Sequence, residues 1–254
     1  TMPTVMEIRN WIDGFAPYDT AEEWDNSGLL FGKGQQAVRH ICVALDVTEG
    51  VLEECAAMGA DLLLTHHPFL FSPLRRVTDE TYQGRLLWKT ADPGISLLCA
   101  HTNLDQSKDG INACLCDLLG IQNEEETVPF RTGVLQSPVP LVSFLQCVRE
   151  RLGCMGLKFS GDPERMIGQV SVCSGSGSEF MNEAASKGSD LLLTSDTKYH
   201  DHQAATELGI CLADAGHFET EQIICPVLAE RLKNKFPDVA VSLAQSHRGF
   251  YRYL

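Results

Sequence analysis

Basic residues are scarce in this chain, with 20 Lys and Arg against 34 Asp and Glu, a net charge of −14 at pH 7. That balance argues against a sequence-independent grip on nucleic acid, whose affinity comes from neutralising phosphates, and against an acidic membrane surface. No apolar run approaches the ~20 residues of a membrane span, and Thr1–Met6 lacks the basic-then-apolar order of a signal peptide. There is no C-x-x-C pair among the ten cysteines, so no zinc-finger site is expected. Most cysteines sit singly in or beside apolar runs, such as Ile41-Cys42-Val43-Ala44-Leu45. They read as reduced, buried thiols of a cytoplasmic protein.

The 254 residues, 44% of them hydrophobic, can bury a substantial core as one large α/β domain or two small ones. An apolar run of strand type at 41–46, helical spacing at 49–58 and a second run at 61–65 make a β-α-β unit. A helix at about 81–91, a strand at 95–100 and a helix at about 110–119 follow. The second half repeats this order, with strands at 169–173, 190–194 and 210–213, helices near 179–187 and 200–208, and a closing helix to about 236. The repeat is visible in the residues, since Gly59-Ala60-Asp61-Leu62-Leu63-Leu64-Thr65 runs parallel to Gly188-Ser189-Asp190-Leu191-Leu192-Leu193-Thr194. The expected fold is α/β, two related halves with mostly parallel or mixed sheets flanked by helices. The join falls within 123–131, dividing the chain into 1–125 and 126–254 with a closing segment that can cross back.

In such sheets ligands bind beyond the carboxyl ends of the strands. Each chemically notable residue follows a predicted strand: His66 and His67 the second, His101 and Asp105 the third, His217 and Glu221 the matching strand of the other half. Asp196 and His200 take the position equivalent to the double histidine. Imidazoles and carboxylates without thiolate suit zinc, iron, manganese or nickel, and this many donors exceeds what one ion takes, pointing to two. Two adjacent histidines can converge only if the backbone turns out of the strand between them. His40, His202 and His247 read as ordinary surface residues. Cys173-Ser174-Gly175-Ser176-Gly177-Ser178 is either an anion cradle or a simple tight turn, and Trp24-Asp25-Asn26-Ser27-Gly28-Leu29 by itself means only a loop.

Six segments taken in order carry a resemblance: Ala21-Glu22-Glu23-Trp24-Asp25-Asn26-Ser27-Gly28-Leu29, Leu45-Asp46-Val47-Thr48, Thr65-His66-His67-Pro68, His101-Thr102-Asn103-Leu104-Asp105, Thr194-Ser195-Asp196-Thr197-Lys198-Tyr199-His200 and Gly216-His217-Phe218-Glu219-Thr220-Glu221. Together they resemble the GTP cyclohydrolase I type-two homologue family, also called NGG-one-interacting-factor-three-like. The resemblance implies two divalent metal ions held by His66, His67, Asp105, His217 and Glu221, with Glu221 bridging. It implies His101 as a proton-transfer or substrate-orienting group, and Trp24, Asn26, Asp196 and His200 as substrate-binding candidates. It further implies a toroidal homohexamer of the short form, without the domain that longer members insert. Ser195 departs from the glycine many relatives carry, which bears on the backbone around Asp196 and His200. The expected activity is metal-dependent hydrolysis of a purine nucleotide ring, a cyclic amide or a phosphoester. The alternative is a non-enzymatic metal-binding scaffold or regulatory partner.

Overall fold

The computed structural model describes residues 2–122 and 129–254, so the expected division at 125/126 lies outside the described residues. In chain order the elements are α1 (Val5–Asp13), β1 (Gly28–Phe31), β2 (His40–Ala44), α2 (Glu49–Ala57), β3 (Leu62–Thr65), α3 (Tyr82–Ala91), β4 (Ser96–Cys99), α4 (Thr102–Asp105) and α5 (Ile111–Leu119). There follow β5 (Arg131–Pro140), α6 (Leu141–Leu152), β6 (Lys158–Ser160), β7 (Met166–Ser176), α7 (Met181–Ser186), β8 (Leu191–Ser195), α8 (Tyr199–Leu208), β9 (Cys211–Asp214), α9 (His217–Glu221), α10 (Ile224–Lys235) and β10 (Ala240–Leu243). Two compact units result: Thr1–Ser107 with Ile224–Arg248, and Lys108–Ile223 with Gly249–Leu254.

The first unit holds a five-stranded sheet in the order β1-β4-β3-β2-β10, parallel except for β1 at one edge. All four residues of β3 and of β4 are buried, as strands covered on both faces must be, which is why they read as continuous apolar runs. Val51, Leu52 and Cys55 of α2 and Leu86 of α3 pack with Cys42, Ala44, Leu63 and Leu97 of the sheet. The Thr48 side chain opens α2 by accepting from the Val51 amide. The expected closing helix is α10, which follows the short α9 and belongs to this unit with β10.

The second sheet runs β5-β7-β8-β9-β6, with β7, β8 and β9 parallel and both edges antiparallel. Its strands sort their residues by parity. Leu191 and Leu193 meet Leu115 of α5 and Phe144 and Val148 of α6, while Leu192 joins Met181, Ala184 and Ala205 of α7 and α8. Helix α5, which the sequence order attaches to the first half, therefore lies in the second unit's core. The helix expected near 179–187 is a 3₁₀ turn, Ser178–Phe180, followed by α7.

The repeat extends to the hydrogen bonds. Asp61 Oδ2 accepts from the Arg39 and His40 amides at 2.7 and 3.2 Å, with the Arg39 guanidinium 3.2 Å from Oδ1. Asp190 Oδ2 accepts from the Gly168 and Gln169 amides at 2.8 and 3.0 Å, with the Arg165 guanidinium 3.4 Å from Oδ1. Each aspartate, just ahead of its own strand, holds two successive amides at the neighbouring parallel strand.

Candidate metal centres

In the first unit β3 ends at Thr65, whose hydroxyl donates to the His67 carbonyl at 2.8 Å, while the His67 amide donates to the Leu45 carbonyl at 2.9 Å. The chain bends at both histidines and brings their rings to one side, centroids 5.2 Å apart and planes at 42°. His101 leaves the next strand end, its ring 5.1 Å from His66 and 5.6 Å from His67. One ring nitrogen of each of the three lies within 4.8 Å of the others, a grouping that can hold a metal ion. Asp105, one turn beyond His101, puts Oδ1 3.5 Å from Nε2 of His66.

What orients these rings is a set of oxygen acceptors. Nδ1 of His66 lies 2.9 Å from the Ala100 carbonyl, Nδ1 of His67 2.7 Å from Asp46 and Nδ1 of His101 2.8 Å from Asp25. A carbonyl or ionised carboxylate has no hydrogen to give, so each Nδ1 carries a proton and donates, and Nε2 is the ring atom turned away from the acceptor. That arrangement is how proteins fix the tautomer of metal-binding histidines. Asp25, with no exposed side-chain surface, also accepts from the hydroxyls of Ser27 at 2.7 Å and Thr102 at 2.6 Å. Burial pushes its carboxyl up, but the hydrogen bonds from His101 and Thr102 outweigh that and hold it well below the usual carboxylate range.

Two large apolar side chains border His101 while exposed to solvent. Trp24 is 62% exposed with its ring 5.9 Å from the imidazole, and Phe71 is 51% exposed at 5.7 Å, both edge-to-face. Asn26 ties their loops together by donating its side-chain amide to the Leu70 carbonyl.

In the second unit β8 ends at buried Ser195, and Asp196 follows with φ of 53°, the sole positive φ outside glycine among the described residues. There its Oδ2 takes the hydrogen of Nδ1 of His217 at 2.7 Å, and Nε2 of His217 stands 2.9 Å from Oε2 of Glu221. The i, i+4 spacing expected of a helix start is realised in α9. Gly175, with φ of 60°, lies beneath: a Cβ there would collide with the Glu221 carboxylate and sit 3.2 Å from Nε2 of His217. The glycine-rich segment is thus neither an anion cradle nor a tight turn at this point, for β7 runs through it to Ser176 and Gly175 leaves space for the carboxylate.

The structure thus gathers His66, His67, His101 and Asp105 in one unit, and His217, Glu221 and Asp196 in the other. His200 stands apart on α8, with Nδ1 3.2 Å from Gln203 Oε1, and no hydrogen bond among the described residues links it to Asp196 or His217. His40, His202 and His247 are not plain surface residues. Both nitrogens of His40 meet partners, Met58 O and Ser242 Oγ, as do those of His202, Thr197 Oγ1 and Ser160 Oγ, and Nε2 of His247 accepts from the Leu45 amide. Asp25, Asp46 and Gly175 lie within motifs evident in the sequence, but their roles as orienting carboxylates and as space for Glu221 emerge only from the fold. Asp25 and Asp46 each stand beside an apolar strand, which is the available signal for an orienting carboxylate.

The Duf34/NIF3 (NGG1p interacting factor 3) family model matches residues 3–248. A Clostridium perfringens (strain 13 / Type A) protein described as GTP cyclohydrolase 1 type 2 homolog is 33% identical over 238 residues, 90% of this chain and 91% of that protein. A Helicobacter pylori (strain J99) protein described as GTP cyclohydrolase 1 type 2 is 30% identical over 243 residues, covering 91% and 92%. The crystal structure of a Bacillus cereus protein related to NIF3 superposes with a TM-score of 0.91 over the full length of both chains at 22% identity, a likeness of fold. With the family model spanning nearly all its length and the histidine and carboxylate motifs in their expected order, the chain belongs to the Duf34/NIF3 family.

Proposed function

We propose that both clusters hold divalent metal ions and that the protein is a metal-dependent hydrolase of ring substrates. His66, His67 and Asp105 would ligate in the first unit, and His217 and Glu221 in the second. The observation that supports this reading is the convergence of one ring nitrogen each of His66, His67 and His101 to within 4.8 Å of one another, with Nδ1 of His66, His67, His101 and His217 each held by an oxygen acceptor. A bound divalent cation supplies Lewis acidity at such a site. The chain itself supplies the proton handling: Asp25 keeps the His101 hydrogen on Nδ1, so Nε2 is the atom that accepts a proton.

Exposed Trp24 and Phe71 beside His101 favour a flat ring over a phosphoester, in keeping with the cyclohydrolase names of the relatives. In this reading Trp24 contacts the substrate, while Asn26 holds the two loops in register. Self-association as a homohexamer and a cytoplasmic location belong to the same proposal. No described helix is long and apolar enough to cross a membrane.

Elemental analysis of protein purified without added metal, with His67→Ala and Glu221→Gln beside it, tests the metal reading. The expected result is two equivalents in the wild type and a loss in each variant. Metal-free protein that takes up no zinc, iron, manganese or nickel would overturn it. Turnover of GTP and cyclic amides, abolished by His67→Ala, is the expected sign of hydrolysis. Metal binding with no turnover across that panel leaves the scaffold role.

A further inference from the structure

The second unit contains a cavity of about 660 Å³ bordered by His217, Lys158, Asp214, Tyr251, Arg252 and Tyr253. That size suits a small molecule. Three of these residues come from Gly249–Leu254, a segment without regular secondary structure that returns to this unit.

Two glycines seat the segment. A Cβ on Gly249 would lie 3.3 Å from the Phe218 ring, and one on Gly156 would lie 2.9 and 3.0 Å from Cδ1 and Cε1 of Tyr253. Both contacts are backbone against ring, which a side chain at either position would disturb. Between the seats, Nη1 of Arg252 donates to the carbonyls of Gly249 and Tyr251 at 3.0 and 2.8 Å. This fixes one arm of the guanidinium.

The charges around the cavity are unequally satisfied. Asp214 Oδ2 accepts from the Thr197 amide and hydroxyl, both at 2.9 Å, and pairs with Lys158 at 3.2 Å, while Oδ1 accepts from the Gly216 amide at 3.1 Å. Lys158 also donates to the Thr197 carbonyl at 2.6 Å. Lys158 and Asp214 therefore neutralise one another. The second carboxylate of the lining, Asp196, is engaged by Nδ1 of His217, and Arg252 forms no ion pair with either aspartate among the described residues while bordering the cavity. Its planar fork matches an oxyanion, and the exposed rings of Tyr251 and Tyr253 offer stacking surface beside it.

We propose that this cavity is a binding site for the oxyanion of a small aromatic or heteroaromatic compound, with Arg252 as the anion-binding residue and Tyr251 and Tyr253 as its aromatic walls. The inference rests on the reading of His217 as part of the reactive centre, but binding here needs no bound metal. Phosphate and carboxylate share the chemistry.

Calorimetric titration of chelator-treated full-length protein with phenyl phosphate, benzoate and benzyl alcohol tests it. The expected result is binding of one or both anions and none of the alcohol, weakened at least tenfold by Arg252→Gln and partly restored by Arg252→Lys. Tighter binding of phenyl phosphate than of benzoate identifies phosphate as the natural group, and the reverse identifies carboxylate. Gly156→Ala, which dislodges Tyr253 without touching a charge, should weaken both anions severalfold while circular dichroism stays unchanged. Unaltered affinity in Arg252→Gln, or no binding of either anion, overturns the assignment. Because the titration uses metal-free protein, its failure is distinct from failure of the metal reading.

Discussion

Gly175 lies so close to Glu221 that nothing larger than a hydrogen fits between its Cα and the carboxylate. Substituting alanine would push Glu221 out of place and also put a side chain at φ of 60°. Gly175→Ala should lose metal from the His217–Glu221 cluster and lower stability by about 1–3 kcal/mol. Metal stoichiometry and thermal denaturation of the variant check both effects.

Asp196 combines an unusual backbone with an orienting hydrogen bond, and two substitutions separate them. Asparagine tolerates the left-handed region at least as well as aspartate, so Asp196→Asn should fold normally while metal affinity at His217 falls by about 10–100-fold. Asp196→Ala should show the same loss and a further destabilisation of about 1–2 kcal/mol. Competition with a fluorescent zinc chelator, set beside urea unfolding, distinguishes the two.

Asp25 accepts hydrogen bonds from His101, Ser27 and Thr102 with its side chain fully buried. Asp25→Asn would turn a donor toward a donor and leave buried groups unsatisfied. Destabilisation of about 2–4 kcal/mol is expected, and His101 should lose its fixed tautomer. The nitrogen shifts of the His101 ring in ¹⁵N-labelled protein should report mixed tautomers in the variant and one in the wild type.

Asp61 gives a pH dependence. Burial raises its carboxyl, but donors from the Arg39 amide, the Arg39 side chain and the His40 amide more than offset this, so its folded value lies below the ordinary 3.8. A depressed acid stabilises the fold fully above its unfolded value and ceases to do so as pH falls through the folded one. The stability difference between wild type and Asp61→Asn should therefore be level above about pH 5 and shrink below about pH 4. Its plateau should be about 1–3 kcal/mol. Urea unfolding at several pH values measures it.

The central strands were legible because β3, β4 and β8 are buried on both faces and must be apolar throughout. Edge strands were not. β1 contains Gly28 at φ of 120°, β5 contains Pro138 and Pro140, and β10 is half-buried, so none shows a clean alternation. In the site, His66, His67, His101, Asp105, His217 and Glu221 announced themselves by standing just after strands. Asp25 did not, because a turn-forming loop looks the same whether or not its carboxylate reaches 76 residues along the chain to an imidazole. The role of Gly175 was invisible for a similar reason. Closeness to Glu221 is a fact of packing, and a glycine-rich stretch has several ordinary explanations.

The placement of β10 beside β2 has a consequence for biosynthesis. At about 5–20 residues per second, the interval between synthesis of Ala44 and Ala240 is on the order of ten to forty seconds. Throughout it, the nascent first unit exposes the unpaired edge of β2 on the ribosome. Such an edge invites pairing with other chains, so slow translation would be a hazard for this protein, and a short peptide copying Ala240–Leu243 would occupy the strand's place before the chain could deliver its own.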